Sequence, residues 1–118
     1  MNNVITLQQA IDMTRRYRHH QAAVVNPAFP VKDVLFNAET FDRAAFDQLL
    51  KYPGVSSVRL YLGMNESLQL RTIVVGVDQN GNDILPNSTD TIADPDPVII
   101  EDGAVCPPIC PDGSPLNV

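Results

Sequence analysis

Apolar residues recur at helical spacing in two stretches of this chain and alternate with polar ones in a third. After Thr6, the positions Leu7, Ala10, Ile11 and Tyr17 fall near one face of a helix, and Thr6 followed by Gln9 has the form of a capping box. The pattern predicts a first helix over residues 7–20. Asn26-Pro27 and Phe29-Pro30 close off regular structure after Val24-Val25, since proline has no amide donor and restricts the residue before it. The short apolar run Val34-Leu35-Phe36 reads as a brief strand. Asn37 is then the expected N-cap of a second helix, with a stripe of Phe41, Ala45 and Leu49 widened by Phe46 and Leu50 and stopped by Tyr52-Pro53-Gly54.

The alternating stretch follows. Val58, Leu60 and Leu62 interleave with Arg59 and Tyr61, Gly63 to Ser67 supply turn residues, and Leu68 and Leu70 interleave with Gln69 and Arg71. That is a hairpin with one apolar face, on which the second helix should lie. In Ile73-Val74-Val75-Gly76-Val77 the alternation disappears, as in a strand covered on both sides, and the C-terminal segment is the available cover. Asp78 to Asp83 contains Asn80-Gly81, the commonest type I′ turn signal, and Ile84-Leu85 can begin a return strand before Pro86. Asn87 to Pro97 reads as an irregular polar loop. Beyond it Val98-Ile99-Ile100 is the one tail segment with strand character, expected to pair with a sheet edge of its own chain or another.

These elements predict an α+β fold: two helices on one face of a small, mainly antiparallel sheet, with an extended Pro-rich C-terminal tail. Charge sharpens the division. From Pro86 to Val118 there are six acidic residues, no Lys or Arg, seven of the ten prolines and both cysteines, which leaves eight charges of each sign in residues 1–85. The expected organisation is a globular body over 1–85 and an acidic tail over 86–118.

VGVDQNGNDIL in the hairpin followed by the CPPICP tail resembles a group of small uncharacterised bacterial proteins, in which an arginine-tyrosine strand leads into a valine-rich strand, a GVDxNGND turn and a CPPxCP ending. The resemblance spans residues 31–111, supports the domain reading and implies no activity.

Candidate chemistry is sparse. A net charge of −6, with the basic residues dispersed apart from Arg15, Arg16 and Arg18, argues against nucleic acid as a partner. No apolar run is long enough for a membrane span. The N-terminus lacks the uninterrupted apolar core of a signal peptide, so a cytoplasmic product is expected if Met1 is the native start. Cys106 and Cys110 can form a small disulfide loop, remain thiols, hold a metal or act in redox chemistry. Pro107-Pro108 prevents the helix that would activate a redox thiol, and adjacent His19 and His20 diverge on a helix, which leaves a disulfide, expected first, and free thiols, the usual state of such a pair in a cytosolic protein. Asp78-x-Asn80-x-Asn82 opens like a calcium loop, but Asp83 stands where the tight-turn glycine belongs and Thr89 where the bidentate glutamate belongs, so a plain hairpin turn is expected at Asp78 to Asp83.

With a loop of Gly63 to Ser67, Arg59 would stand directly opposite Arg71, with Tyr61 beside Gln69. Facing like charges destabilise a sheet unless an anion lies between them, and a phosphate, a carboxylate or the acidic tail would serve. No phosphate loop, nucleophile elbow or zinc-protease helix occurs, and no cofactor is implied. The expected function is therefore a non-catalytic interaction or assembly protein, not an enzyme, whose C-terminal tail is the contact element and docks on the body of its own chain or of a neighbour; the expected partner is a second copy, in a homodimer or higher assembly, or another protein. The alternative is a small-anion or ion-binding module built on Arg59, Tyr61 and Arg71.

Overall fold

A computed structural model describes residues 3–87, 89, 92 and 96–117. The chain is a small α+β protein, with two helices and two small antiparallel sheets among the described residues. The α+β class holds, with the strands shared between two sheets rather than gathered in one. Contacts divide the chain into two compact units, residues 1–39 with 104–118, and residues 40–103. The step at residue 86 is thus a boundary of charge and proline content, and the contacts partition the chain elsewhere.

In the first unit, α1 runs Leu7–Val24, one turn longer than its pattern predicts. Its capping box is formed: the Thr6 hydroxyl accepts from the Gln9 amide at 3.1 Å and Gln9 Oε1 accepts from the Thr6 amide at 2.8 Å. No α1 residue is fully buried; Ala10, Ile11, Thr14, Tyr17 and Gln21 form a half-buried stripe, while Leu7 is exposed. Val34-Leu35-Phe36 is not a strand. The strand is β1, Ala38–Thr40, in a two-stranded sheet with β5, Ala104–Cys106, the second being tail residues that the apolar pattern did not mark. Asn37 explains the displacement. Its amide donates to Cys106 O at 2.7 Å, and its side chain accepts from Gln21 at 3.2 Å and donates to Asn117 at 3.4 Å. An asparagine engaged in this way cannot cap a helix. The cap of α2 is Asp42 instead.

In the second unit, α2 spans Arg43–Lys51. Its only fully buried side chain is Leu49, which clusters with Val74 and Ile100 while Phe41, Ala45, Phe46, Val55 and Val98 pack around them; Leu50 points to solvent. The sheet has the order β2–β3–β4, with β2 at Ser57–Met64, β3 at Leu70–Val77 and β4 at Asp83–Ile84. The β2–β3 hairpin is longer than its turn residues suggest: Gly63 pairs with Arg71 and Met64 with Leu70, so the tip is Asn65 to Gln69. Asn65 makes this tip through its side chain, which accepts from the Gln69 amide at 2.9 Å, while Leu68 takes a left-handed φ of 63°. Gly63 is a strand glycine, because a Cβ there would lie 3.0 Å from Ile73 Cδ1.

Candidate interaction surface

The register places the side chains named from sequence. Arg59 lies opposite Val75, not Arg71, and Tyr61 lies opposite Ile73. The predicted facing arginines therefore do not occur. Asp83 on β4 pairs with Val77 and so projects on the same face as Val75, Arg59 and Tyr61. Arg59 and Tyr61 reach across β3 to opposite oxygens of that carboxylate, and Arg59 also donates to Gly81 O at 3.2 Å. The anion anticipated between two arginines is a residue of the chain itself. Its hydrogen bond, followed by that from Tyr61, raises the already high pKa of the Arg59 guanidinium.

Arg71 sits apart from this trio. It donates to Leu70 O at 2.7 Å and to Gln69 Oε1 at 3.5 Å, and it lines a cleft of about 370 Å³ with Gly63, Asn65, Glu66, Ile73 and Glu101. Two carboxylates and one guanidinium on the walls make a poor receptor for an added anion. Glu101 shares the cleft with Arg71 without an ion pair among the described residues, and Asp94 lies outside them.

The Asp78 to Asp83 segment is a hairpin turn but not the type I′ turn that Asn80-Gly81 signals, because Gly81 alone of the pair takes a positive φ and its amide donates to Asp78 O at 3.1 Å. Asp78 Oδ1 accepts from the amides of Asn80 and Asn82, each at 2.9 Å, and Gly81 takes a φ of 85°. The Asn82 amide leads in lowering the Asp78 pKa, against partial burial. The carboxylate that would open a calcium loop is thus occupied by the turn's own amides. Cys106 and Cys110 are joined in a disulfide, with Cα atoms 4.8 Å apart. Among the described residues no cluster of three or more His, Cys, Asp and Glu is placed to hold a metal, and no helix is long and apolar enough to cross a membrane.

Within the contact strand named from sequence, Ile100 carries the contact. It is 5% exposed and exchanges both backbone hydrogen bonds with Val74 at 2.9 Å, whereas Ile99 is 48% exposed and Val98 packs at the periphery of the core. This bridge also fixes which way every backbone group of the sheet points. Val74 spends its amide and carbonyl on Ile100, so by alternation Ile73 and Val75 turn theirs toward β2, and their partners Tyr61 and Arg59 turn theirs toward β3. Val58, Leu60, Leu62 and Met64 must then point amide and carbonyl outward. Among the described residues no strand pairs with that edge.

The same four residues carry the apolar side chains on the helix-covered face, since Leu60 is opposite Val74 and Val74 packs on Leu49 of α2. The helix covers β3 and leaves the β2 row bare: Val58 is 41%, Leu60 59%, Leu62 74% and Met64 56% exposed. Free backbone groups and exposed aliphatic side chains coincide residue by residue along an eight-residue strand. The alternation of Val58, Leu60 and Leu62 was legible in the sequence, but there it signalled burial. Nothing in the pattern says that α2, only nine residues long, stops short of the outer strand. No family model matches the chain, and neither a curated protein nor a solved structure matches it.

Proposed function

We propose that this chain is a non-catalytic interaction or assembly protein that takes up an extended partner strand on the open edge of β2. The observation that carries the reading is that backbone groups with no strand partner among the described residues coincide with the exposed side chains of Val58, Leu60, Leu62 and Met64. A long, flat apolar edge is a template for strand addition, and soluble proteins normally blunt such edges with charge, proline or a bulge. The one charge on β2, Arg59, is on the other face and is engaged by Asp83. Val98 to Ile100, named from sequence as the contact element, supports the body from within: it closes the opposite side of β3 and leaves β2 as the surface open to a partner.

Selection of extended peptides from a random library on the immobilised protein tests this reading. Peptides with alternating apolar residues are expected on the wild type and absent on a Leu60→Lys/Leu62→Lys variant. Equal recovery from both, or none from either, contradicts the proposal.

A further inference from the structure

Resting on the strand-edge reading above, we infer that the occupant of the β2 edge is β2 of a second copy, paired antiparallel about a two-fold axis at Tyr61. Hydrogen bonding across the edge requires Val58, Leu60, Leu62 and Met64 to meet residues whose backbone groups also point outward, and β2 supplies the same four. Only certain two-fold registers satisfy this. An axis at Arg59 places two guanidinium-bearing residues face to face, which a sheet penalises. An axis at Leu60 sends Met64 past the start of the partner strand at Ser57. The axis at Tyr61 pairs Val58 with Met64 and Leu60 with Leu62, so that every outward amide and carbonyl is matched and every exposed apolar side chain has an apolar neighbour. On the other face it sets Arg59 opposite Gly63, a residue with no side chain to obstruct the Arg59–Asp83 pair.

Charge favours a copy of this strand over a charged peptide. The apolar row contains no ionisable group, and Arg59 is already engaged, so a strongly acidic or basic segment finds nothing to recognise. The exposed stripe is on the order of a few hundred Å², the scale of surface patches that mark interaction sites. That falls short of the roughly 800 Å² per partner of a standard interface, so the association is weak and reversible. Each copy carries a net charge of −6, and the two repel at long range. Added salt therefore strengthens this dimer.

Sedimentation equilibrium of the full chain from micromolar to millimolar concentration reads the result. The expected mass rises from 12.9 kDa toward twice that value, at lower protein concentration when salt is added. Leu60→Pro removes one outward amide while leaving the β2–β3 ladder intact, as edge strands allow, and is expected to stay monomeric with an unchanged circular dichroism spectrum. Should proline unfold the chain, Leu60→Lys makes the same demand without touching the backbone. Tyr61→Cys reports the register: self-paired residues at a non-hydrogen-bonded position lie about 4.5 Å apart, within disulfide reach, so oxidation yields a covalent dimer where Val58→Cys does not. A monomer at every concentration, a dimer indifferent to Leu60→Pro and Leu60→Lys, or equal cross-linking at both cysteines overturns the inference. Peptide capture by a protein that never dimerises would overturn self-pairing alone and leave the strand-edge function standing.

Discussion

One carboxylate, Asp83, sets the character of the polar face of the three-stranded sheet. It accepts from Arg59 and Tyr61 together, so both donors are consumed inside the chain. Replacing Asp83 by Asn should therefore cause a small loss of stability and create a weak phosphate site at Arg59, read as a phosphate-dependent shift of the Arg59 side-chain resonances. Phosphate binding of equal strength by the wild type would show that Asp83 does not occupy the guanidinium. Asp78 gives the second residue-level test. Its folded pKa lies below the ordinary carboxylate value because the Asn82 amide, and then the Asn80 amide, favour its charged form. A depressed pKa adds stability above the unfolded-state pKa of about 4, and that stability is lost as pH falls through the folded value. The advantage of wild type over Asp78→Asn, measured by melting temperature, should thus be present near pH 6 and vanish in stronger acid. A difference that grows on acidification would contradict this role.

Among the elements, β3 is the one that others depend on. Val74, Val75 and Val77 are each 3% exposed or less, and Gly76 admits the elements above it: a Cβ there would stand 2.8 Å from Val55 Cγ2. Gly76→Ala should destabilise by about 1–3 kcal/mol, the usual result of overpacking. Ile100 and Ile99 are adjacent and chemically identical, yet they should behave differently. Ile100→Ala removes a buried member of the Leu49–Val74 cluster and should cost about 2–5 kcal/mol in chemical denaturation, whereas Ile99→Ala should stay within about 0.5 kcal/mol. Thr6→Ala should remove about 1 kcal/mol from α1, visible as fraying of its first turn.

These element-level effects also mark what the sequence could and could not convey. The Thr6–Gln9 box, the position of the Asn80-Gly81 turn and the pairing of the tail at Ile100 are decided by local chemistry or by one unmistakable apolar run, and all were legible. The hairpin register was not, because Gly63 reads as a turn residue although it is needed to accommodate Ile73, and Asn65 builds the turn with its side chain. A shift of register moved Arg59 away from Arg71 and hid Asp83 as its partner. The β1 strand was missed because Asn37, a good cap in isolation, is held by Cys106, Gln21 and Asn117, contacts far away in sequence.

At the scale of the whole molecule, the chain's two ends build one unit and its middle builds the other. In the unit formed by the ends, the Cys106–Cys110 disulfide closes the turn that follows β5, and Arg18 of α1 donates to Leu116 O at 2.6 Å. A loop this short should contribute about 2 kcal/mol through the unfolded chain, so a Cys106→Ala/Cys110→Ala variant should melt earlier in that unit. In the middle unit, the surplus of free backbone groups and apolar side chains on β2 is the feature from which the functional account follows. Residue-resolved amide hydrogen exchange at increasing protein concentration tests that account most directly. The amides of Arg59, Tyr61 and Gly63 should be protected at every concentration, and those of Val58, Leu60, Leu62 and Met64 should exchange fast when dilute and slow progressively as the concentration rises. Rapid exchange of the second set at all concentrations, or uniform protection along β2, would contradict an open edge that pairs with a second copy.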